Sequence, residues 1–243
     1  MVIDFSGKRA LVTGAGKGIG RDVSMTLAEY GAEVIAISRN QEDLDTLKAA
    51  IGCQVIRADL AIPDQACLAA ENAGEIDLLV NNAGITILQP FLDTTLEAFD
   101  EIMAVNVRAV LLVSQVIARK MIASGKGGAI VNVSSQSSMR ALPDHTAYCA
   151  SKGALDQLTR MMALELGPFN IRVNSVNPTV TLTPMGELAW SDPAKSNRMM
   201  ERIPLKRFAR PRDVSEVIAF LLSDQACMLN GAILPIDGGF LVT

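Results

Sequence analysis

The stretch RALVTGAGKGIG, residues 9–20, decides the fold of this chain. Its first six residues, 9–14, are an apolar run typical of a buried strand, and a helical pattern begins at Gly20. Gly14, Gly18 and Gly20 stand at the spacing T-G-x-x-x-G-x-G. Glycines there let the backbone approach a pyrophosphate, whose charge is favoured by the free N–H groups at a helix N-terminus. A glycine-rich turn without a ligand is the alternative, but a strand before the loop and a helix after it indicate a dinucleotide site.

The rest of the chain repeats this alternation of strand and helix. Its apolar runs are rich in Val and Ile and continuous, as expected of parallel strands buried on both faces. The predicted strands are 9–14, 33–38, 53–59, 76–84, 128–135, 171–178 and 231–239, and the predicted helices are 20–31, 96–124, 147–167 and 211–224. The sequence therefore predicts an α/β, single-domain Rossmann fold over 1–243, with a doubly wound seven-stranded parallel sheet and helices on both faces. The irregular span 179–210 is predicted to be a loop or small helical flap over a site.

Composition narrows the class of protein. The chain has 243 residues, 49% of them hydrophobic, which is enough for a large buried core. A net charge of −4 without a long basic run argues against nucleic acid as a partner. The four cysteines fit no metal-ligand pattern, so no metal is predicted, and reduced thiols in a cytoplasmic location are expected. No signal peptide is recognised, and no apolar run is judged long enough to span a membrane.

The end of the second predicted strand indicates which dinucleotide is bound. It reads AISRN, so Ser38 and Arg39 stand where an acidic side chain would favour NAD. Lys17, inside the glycine loop, is a second cation that could reach the same position. Two cations without an acid suit a 2′-phosphate, and the sequence predicts NADP(H). The alternative is that both are solvated surface charges.

Tyr148 and Lys152 lie four residues apart at the start of a predicted helix and therefore share a face. An ammonium near a phenol stabilises the ionised phenol, which suggests proton-transfer chemistry. Taken alone, the pattern is explained better by an amphipathic helix with a surface lysine.

Five motifs in order resolve this choice: TGAGKGIG (13–20), NNAG (81–84), MAVNVRA (103–109), VNVSS (131–135) and YCASK (148–152). Together they resemble the short-chain dehydrogenase/reductase family over essentially the entire chain. The resemblance implies Asn106, Ser135, Tyr148 and Lys152 as the catalytic set. Tyr148 would be the general acid or base, with a pKa lowered by Lys152 and the oxidised nicotinamide, and Ser135 would orient the carbonyl oxygen. Lys152 would also bind the nicotinamide ribose, and Asn106 would hold a water that relays protons.

The resemblance also implies the cofactor contacts. The expected residues are Gly14, Lys17, Gly18, Ile19, Gly20, Ser38, Arg39, Asp59, Leu60, Asn82, Ala83, Gly84, Tyr148, Lys152, Pro178, Val180 and Thr183. Asp59 matches the aspartate of the family's adenine pocket. Where the family often has Pro-Gly after the sixth strand, this chain has Pro178-Thr179, and the added side chain restricts the backbone there.

Residues around the catalytic set are candidates for contact with substrate: Ser135, Gln136, His145, Tyr148 and Trp190. The neighbouring serines of SSQSS are explained as a polar loop after a strand, and only the family spacing selects Ser135. His145 could be a proton shuttle. The favoured interpretation is that it lies in the pocket wall and hydrogen-bonds hydroxyl groups of the substrate. Trp190 could close over a ligand or anchor the flap. Met185, Met199 and Met200 are expected to pack the flap.

Gln136, His145 and the polar flap suit a hydroxylated substrate. The resemblance implies an NADPH-dependent reductase of small polar carbonyls, above all L-xylulose and α-dicarbonyls. A reductase of 3-oxoacyl thioesters or steroids is the alternative, and the basic residues Arg202, Lys206, Arg207, Arg210 and Arg212 could form a rim for an acyl carrier protein. A non-catalytic cofactor-binding protein would not need the intact catalytic set. Surplus apolar surface on helices 96–124 and 147–167 predicts a homotetramer, which the family resemblance also implies. The competing explanation is a monomer in which the flap covers that surface.

Overall fold

The architecture is a parallel sheet with helices packed on both faces, seen in a computed structural model that describes residues 3–243 and, within that range, all side chains except those of Met185 and Ala189. The strands are β1 (Arg9–Thr13), β2 (Glu33–Ser38), β3 (Gln54–Arg57), β4 (Leu78–Asn81), β5 (Gly128–Val133), β6 (Ile171–Pro178) and β7 (Ile233–Ile236). They are all parallel and lie in the order β3-β2-β1-β4-β5-β6-β7. This is the predicted doubly wound, seven-stranded Rossmann sheet, with its change of direction between β1 and β4.

The helices are α1 (Gly18–Glu29), α2 (Gln41–Ile51), α3 (Pro63–Asn72), α4 (Leu96–Met103), α5 (Ala109–Ser124), α6 (Thr146–Leu166), α7 (Pro184–Ala189), α8 (Pro193–Glu201) and α9 (Pro211–Leu222). A π-helical segment, Ala104–Arg108, joins α4 to α5. One face of the sheet is covered by α1, α2 and α9, and the other by α3, α5 and α6. A third apolar cluster, with Met199, Ile203, Phe208 and Phe240 at its centre, lies under α7 and α8.

Two helices were not predicted. In α2 only Leu44 and Leu47 are buried, and most of the other residues are polar or small, so its apolar stripe is narrow. In α3 the buried residues are alanines, which carry little hydrophobic signal. Strand ends also differ by several residues: β7 is shorter than its predicted range, and both edge strands, β3 and β7, are only partly buried.

The expectation that no apolar run is long enough to span a membrane needs a correction at the continuous helical segment Leu96–Ser124. By length and composition it could cross a membrane, with a mean hydropathy of 1.6 over its most apolar window. However, 61% of that window is buried inside the protein, where α5 packs against the sheet and beside α3. Core packing therefore accounts for its apolar side chains.

Candidate active site

A cleft of about 540 Å³ opens at the carboxyl edge of the sheet, where open α/β folds bind their ligands. Its walls come from the glycine loop, the end of β2, the loops after β4, β5 and β6, and the start of α6. The predicted site residues that line it are Gly14, Lys17, Gly18, Ile19, Ser38, Arg39, Asn82, Ala83, Gly84, Ser135, Gln136, His145, Tyr148, Lys152, Pro178, Val180, Thr183 and Trp190.

Four predicted residues do not line the cleft. Gly20 lies beneath the glycine loop, and Asn106 is fully buried behind the segment that follows β4. Asp59 and Leu60 follow the end of β3, where the Asp59 carboxylate accepts a hydrogen bond from the Ala61 amide at 3.0 Å. Contact of Asp59 and Leu60 with an adenine therefore stays a prediction.

The glycine loop depends on close packing that only glycine permits. A Cβ on Gly20 would lie 2.3 Å from both the Gly14 carbonyl oxygen and the Asn82 Nδ2 atom. Asn82 in turn donates to the carbonyls of Thr13 and Gly14 at 3.0 and 3.1 Å, which fixes the loop against β4. Among the described residues, no side chain caps the N-terminus of α1, and Gly18 and Ile19 of its first turn line the cleft. The loop therefore has the free donors that an anionic pyrophosphate requires.

The charges beside the end of β2 differ from the prediction in one respect. Lys17 pairs with Asp43 at 3.4 Å, and Asp43 comes from α2, which the sequence analysis did not identify. A carboxylate therefore does lie beside the predicted phosphate position, although β2 itself ends without one. Arg39 is exposed and has no ion-pair partner among residues 3–243. Of the two cations, Arg39 is the better placed to bind a phosphate.

Tyr148 and Ser135 are brought together at the other end of the cleft. Burial raises the pKa of Tyr148, and the neighbouring Ser135 hydroxyl lowers it by less. The net direction is opposite to the lowering expected from Lys152 with an oxidised nicotinamide. The protein alone therefore holds Tyr148 as a neutral phenol, the form that can donate a proton.

Lys152 is buried on the same face of α6. Its Nζ atom donates to the Val133 carbonyl at 2.9 Å and lies 5.6 Å from the centre of the Tyr148 ring. Burial lowers the pKa of Lys152 to about 8, and Asp156 raises it by less. The ammonium therefore remains the main form at neutral pH and sits at the floor of the cleft.

Asn106 lies within the π-helical segment that interrupts the predicted helix 96–124. Its side-chain amide donates to the Ile85 carbonyl and to Ser151 Oγ, both at 3.0 Å, and its oxygen accepts from the Ile85 amide at 2.9 Å. Both amide hydrogens are thus used within the protein, and the oxygen keeps one lone pair. A π-helical turn of this kind is frequent at functional sites.

His145 has a defined tautomer. Its Nδ1 lies 2.6 Å from the Pro143 carbonyl, which can only accept, so Nδ1 carries the proton. In the neutral ring, Nε2 is then an acceptor. The imidazole meets the Tyr148 ring edge to face at 6.1 Å between centroids. This geometry favours the hydrogen-bonding wall residue over the proton shuttle.

The position of Trp190, at the end of α7, is compatible with both predictions made for it, namely closing over a ligand and anchoring the flap. It lines the cleft and also packs on Phe208, with 6.1 Å between ring centroids. Met199 is buried in the same cluster and Met200 packs against it, as expected, whereas the Met185 side chain lies outside the described part of the chain. Thr183 caps α7 and contacts the glycine loop at Gly18.

Sequence reasoning missed several polar groups here. Among the described residues, three side-chain oxygens of the cleft wall are buried without a hydrogen-bond partner: Thr86 Oγ1, Gln136 Oε1 and Thr179 Oγ1. Only Gln136 was proposed as a substrate contact. An unsatisfied buried oxygen costs on the order of 1–3 kcal/mol, so such groups indicate a ligand with hydrogen-bond donors. For Thr179 the available signal was the alternation of threonines after Pro178, at positions 179, 181 and 183.

Comparison with known proteins agrees with this site. Residues 14–241 match a family model described as enoyl-(acyl carrier protein) reductase. The chain is 56% identical over the full length of both proteins to L-xylulose reductase of Mus musculus. It is 55% identical to D-erythrulose reductase of Gallus gallus, covering 99% of this chain and 98% of that one. A crystal structure of gluconate 5-dehydrogenase from Burkholderia cenocepacia in complex with NADP and tartrate superimposes with a TM-score of 0.93 at 33% identity, covering 100% of this chain and 98% of that one.

Proposed function

The chain belongs to the short-chain dehydrogenase/reductase family and is an oxidoreductase of carbonyl and CH–OH groups, and on this premise we propose that it is an NADPH-dependent reductase of small polar carbonyls. L-xylulose, reduced to xylitol, and α-dicarbonyls are the proposed substrates. The observation that carries this proposal is a single cleft that joins the glycine loop to Ser135, Tyr148 and Lys152. Two relatives named for reduction of ketose sugars support the substrate class.

The residues present fit a nicotinamide dinucleotide. The glycine loop and the uncapped start of α1 would hold the pyrophosphate, and Arg39 with Ser38 would hold a 2′-phosphate. Lys152 would bind the nicotinamide ribose, with Val180 and Thr183 near the nicotinamide. When bound, the reduced nicotinamide supplies the hydride that reduces the carbonyl carbon.

The chain's own residues supply the proton and the orientation. Tyr148, held neutral by burial, donates its phenolic proton to the carbonyl oxygen of the substrate. Ser135 donates to the same oxygen and fixes its direction. The Lys152 ammonium stabilises the phenolate that remains. A water held by the free lone pair of the Asn106 oxygen would relay the proton from solvent that restores Tyr148.

The polar cleft wall supports a hydroxylated substrate. The unpaired oxygens of Thr86, Gln136 and Thr179 and the Nε2 acceptor of His145 can all accept hydrogen bonds from substrate hydroxyl groups. These acceptors favour a carbonyl compound that carries hydroxyl groups, such as L-xylulose, over one that carries none. The span 179–210, with Trp190 on its inner side, would act as the flap that closes over the sugar.

The acyl-thioester alternative is less well supported, although the matching family model carries a related description. Two of the five cations of the proposed basic rim are paired within the protein: Arg207 with Asp213, and Arg212 with both Glu29 and Glu216. Cations already neutralised in this way attract an acidic carrier protein weakly.

A cytoplasmic location is also proposed. All four cysteines are unpaired thiols, as is usual in a reducing compartment.

Steady-state oxidation of NADPH, followed with L-xylulose, diacetyl and an acetoacetyl thioester, tests the proposal. We expect kcat/KM to be higher for L-xylulose and diacetyl than for the thioester. The rate should saturate as the concentration of L-xylulose increases. Turnover of the thioester alone would support the alternative, and no turnover of any carbonyl would overturn the proposal of an active reductase.

A further inference from the structure

Asp156 is a buried carboxylate next to the catalytic residues. It lies on α6 four residues after Lys152 and eight after Tyr148, which places all three on neighbouring turns of one helix face. Its exposed fraction is only 5%, and it takes part in no ion pair among residues 3–243. Burying an unpaired carboxylate is costly unless hydrogen bonds satisfy it.

Asn177 of β6 supplies those hydrogen bonds. Its Nδ2 group lies 3.2 and 3.0 Å from the two Asp156 oxygens, and its own oxygen accepts from Ser175 Oγ at 2.7 Å. Because a carboxylate only accepts, Asp156 requires Asn177 to present its NH₂ group. The orientation of this fully buried amide is therefore fixed.

The same NH₂ group of Asn177 also contacts the main chain of the catalytic serine, Ser135. It lies 3.0 Å from the Ser135 carbonyl oxygen and 2.9 Å from Ser138 Oγ, which itself donates to the Ser135 carbonyl at 2.8 Å. The main chain of Ser135 is thereby linked to Asp156 through a single amide.

We propose that Asp156 and Asn177 are positioning residues for Ser135, an inference that rests on the proposed function. The carboxylate orients the amide, the amide holds the Ser135 carbonyl, and the Ser135 hydroxyl is kept beside Tyr148 and the substrate carbonyl. Neither residue touches the substrate. An asparagine at position 156 would offer one acceptor and one donor, so the Asn177 amide could turn and release the serine.

Asp156→Asn is the direct test because it keeps the shape of the side chain. Thr159→Val is the matched control: Thr159 is fully buried on α6, three residues further along, and hydrogen-bonds to Asn132 at 2.9 Å away from the cleft. We expect Asp156→Asn to lower kcat with L-xylulose by about tenfold, the effect of one misplaced transition-state hydrogen bond. The KM for NADPH should change less than about twofold, and Thr159→Val should leave kcat unchanged even if the protein is less stable.

A double-mutant cycle checks that the two residues act together. If Asn177→Ser alone lowers kcat as Asp156→Asn does, and the double variant is no slower than either, the coupling is established. Asn177→Ser also serves if Asp156→Asn does not fold. A kcat in Asp156→Asn within about twofold of that in Thr159→Val, or fully additive losses, would overturn the proposal. Failure of the wild type to reduce any carbonyl would instead refute the proposed function.

Discussion

At the scale of single residues, burial sets the protonation of the two groups that carry the proposed proton chemistry. Burial raises the pKa of Tyr148, and it lowers the pKa of Lys152 to about 8. Near neutral pH the phenol is therefore protonated and the lysine is charged. This is the combination that reduction of a carbonyl requires, because a neutral phenol can give a proton and an ammonium stabilises what remains.

The charge on Lys152 should weaken folding at neutral pH. Its folded pKa of about 8 lies below the ordinary 10.5, so the unfolded chain binds more protons between these values. The free energy of unfolding therefore rises as pH increases from about 8 to 10.5, by roughly 3 kcal/mol. We expect Lys152→Met to lose this rise, together with activity and NADPH affinity. Urea unfolding of both proteins at several pH values measures it, and a constant difference between them from pH 7 to 10.5 would contradict the assignment.

Coenzyme preference should depend more on Arg39 than on Lys17. A charge-assisted hydrogen bond to a 2′-phosphate is worth about 1.5–3 kcal/mol, so Arg39→Ala should lower the preference for NADPH over NADH by about one to two orders of magnitude. Lys17→Ala should have a smaller effect because Lys17 already pairs with Asp43. The kcat/KM ratio for the two coenzymes is the readout. An unchanged ratio in Arg39→Ala would mean that the phosphate is bound elsewhere.

What sequence reasoning missed at this scale has a common physical origin. Tyr148 and Lys152 are visible in the sequence because they lie one helical turn apart. Asp156 and Asn177 meet only because α6 packs beside β6, and Asp43 reaches Lys17 only through an unpredicted helix. Pairs that depend on tertiary packing leave no local periodicity in the chain.

At the scale of elements, the junction of β1, the glycine loop and α1 determines the cleft. Gly20→Ala places a methyl group 2.3 Å from the Gly14 carbonyl oxygen, so the loop must move away from the helix. We expect weaker NADPH binding, by about tenfold or more, and reduced stability. Gly153→Ala on α6 is the matched control, since its Cβ would meet nothing within 4 Å and alanine stabilises a helix by about 0.5–1 kcal/mol. Titration of NADPH fluorescence distinguishes them, and equal affinities in both variants would contradict this account.

Element type and order were predictable wherever the apolar pattern was strong. The buried strands β1, β2, β5 and β6 were identified within one or two residues. The π-helical turn around Asn106 was not, because the sequence 96–124 has an uninterrupted helical pattern and the extra residue per turn is set by packing. The predicted flap contains α7 and α8, but its role in closing over substrate stays a proposal.

At the scale of the whole molecule, the predicted homotetramer rests on a smaller exposed apolar surface than the sequence indicated. The apolar residues of α6 that exceed a single sheet-facing stripe are Ala154, Leu155, Leu158, Met161, Met162, Leu164 and Leu166. Of these, Leu155 and Met162 are buried, whereas Met161 and Leu164 are 42% and 71% exposed. Leu96, at the start of α4, is also 77% exposed.

We expect this surface to be covered by a second copy of the chain. Sedimentation at micromolar protein should give a tetramer, and Leu164→Glu should reduce the assembled fraction. Leu68→Glu, a change at a residue that is 61% exposed on α3, is the control. A dominant species near the chain mass of 25.9 kDa would contradict the prediction.

The central claim is that Tyr148 gives the proton in an NADPH-dependent carbonyl reduction, and Tyr148→Phe tests it most directly. The variant keeps the ring and loses only the phenolic oxygen. Its kcat with L-xylulose should fall by about 10²–10⁴-fold, the usual contribution of a general acid, while the Kd for NADPH stays within about twofold. Side-by-side measurement of NADPH oxidation and NADPH binding gives both values. A kcat comparable to that of the wild type, with NADPH binding intact, would contradict the account.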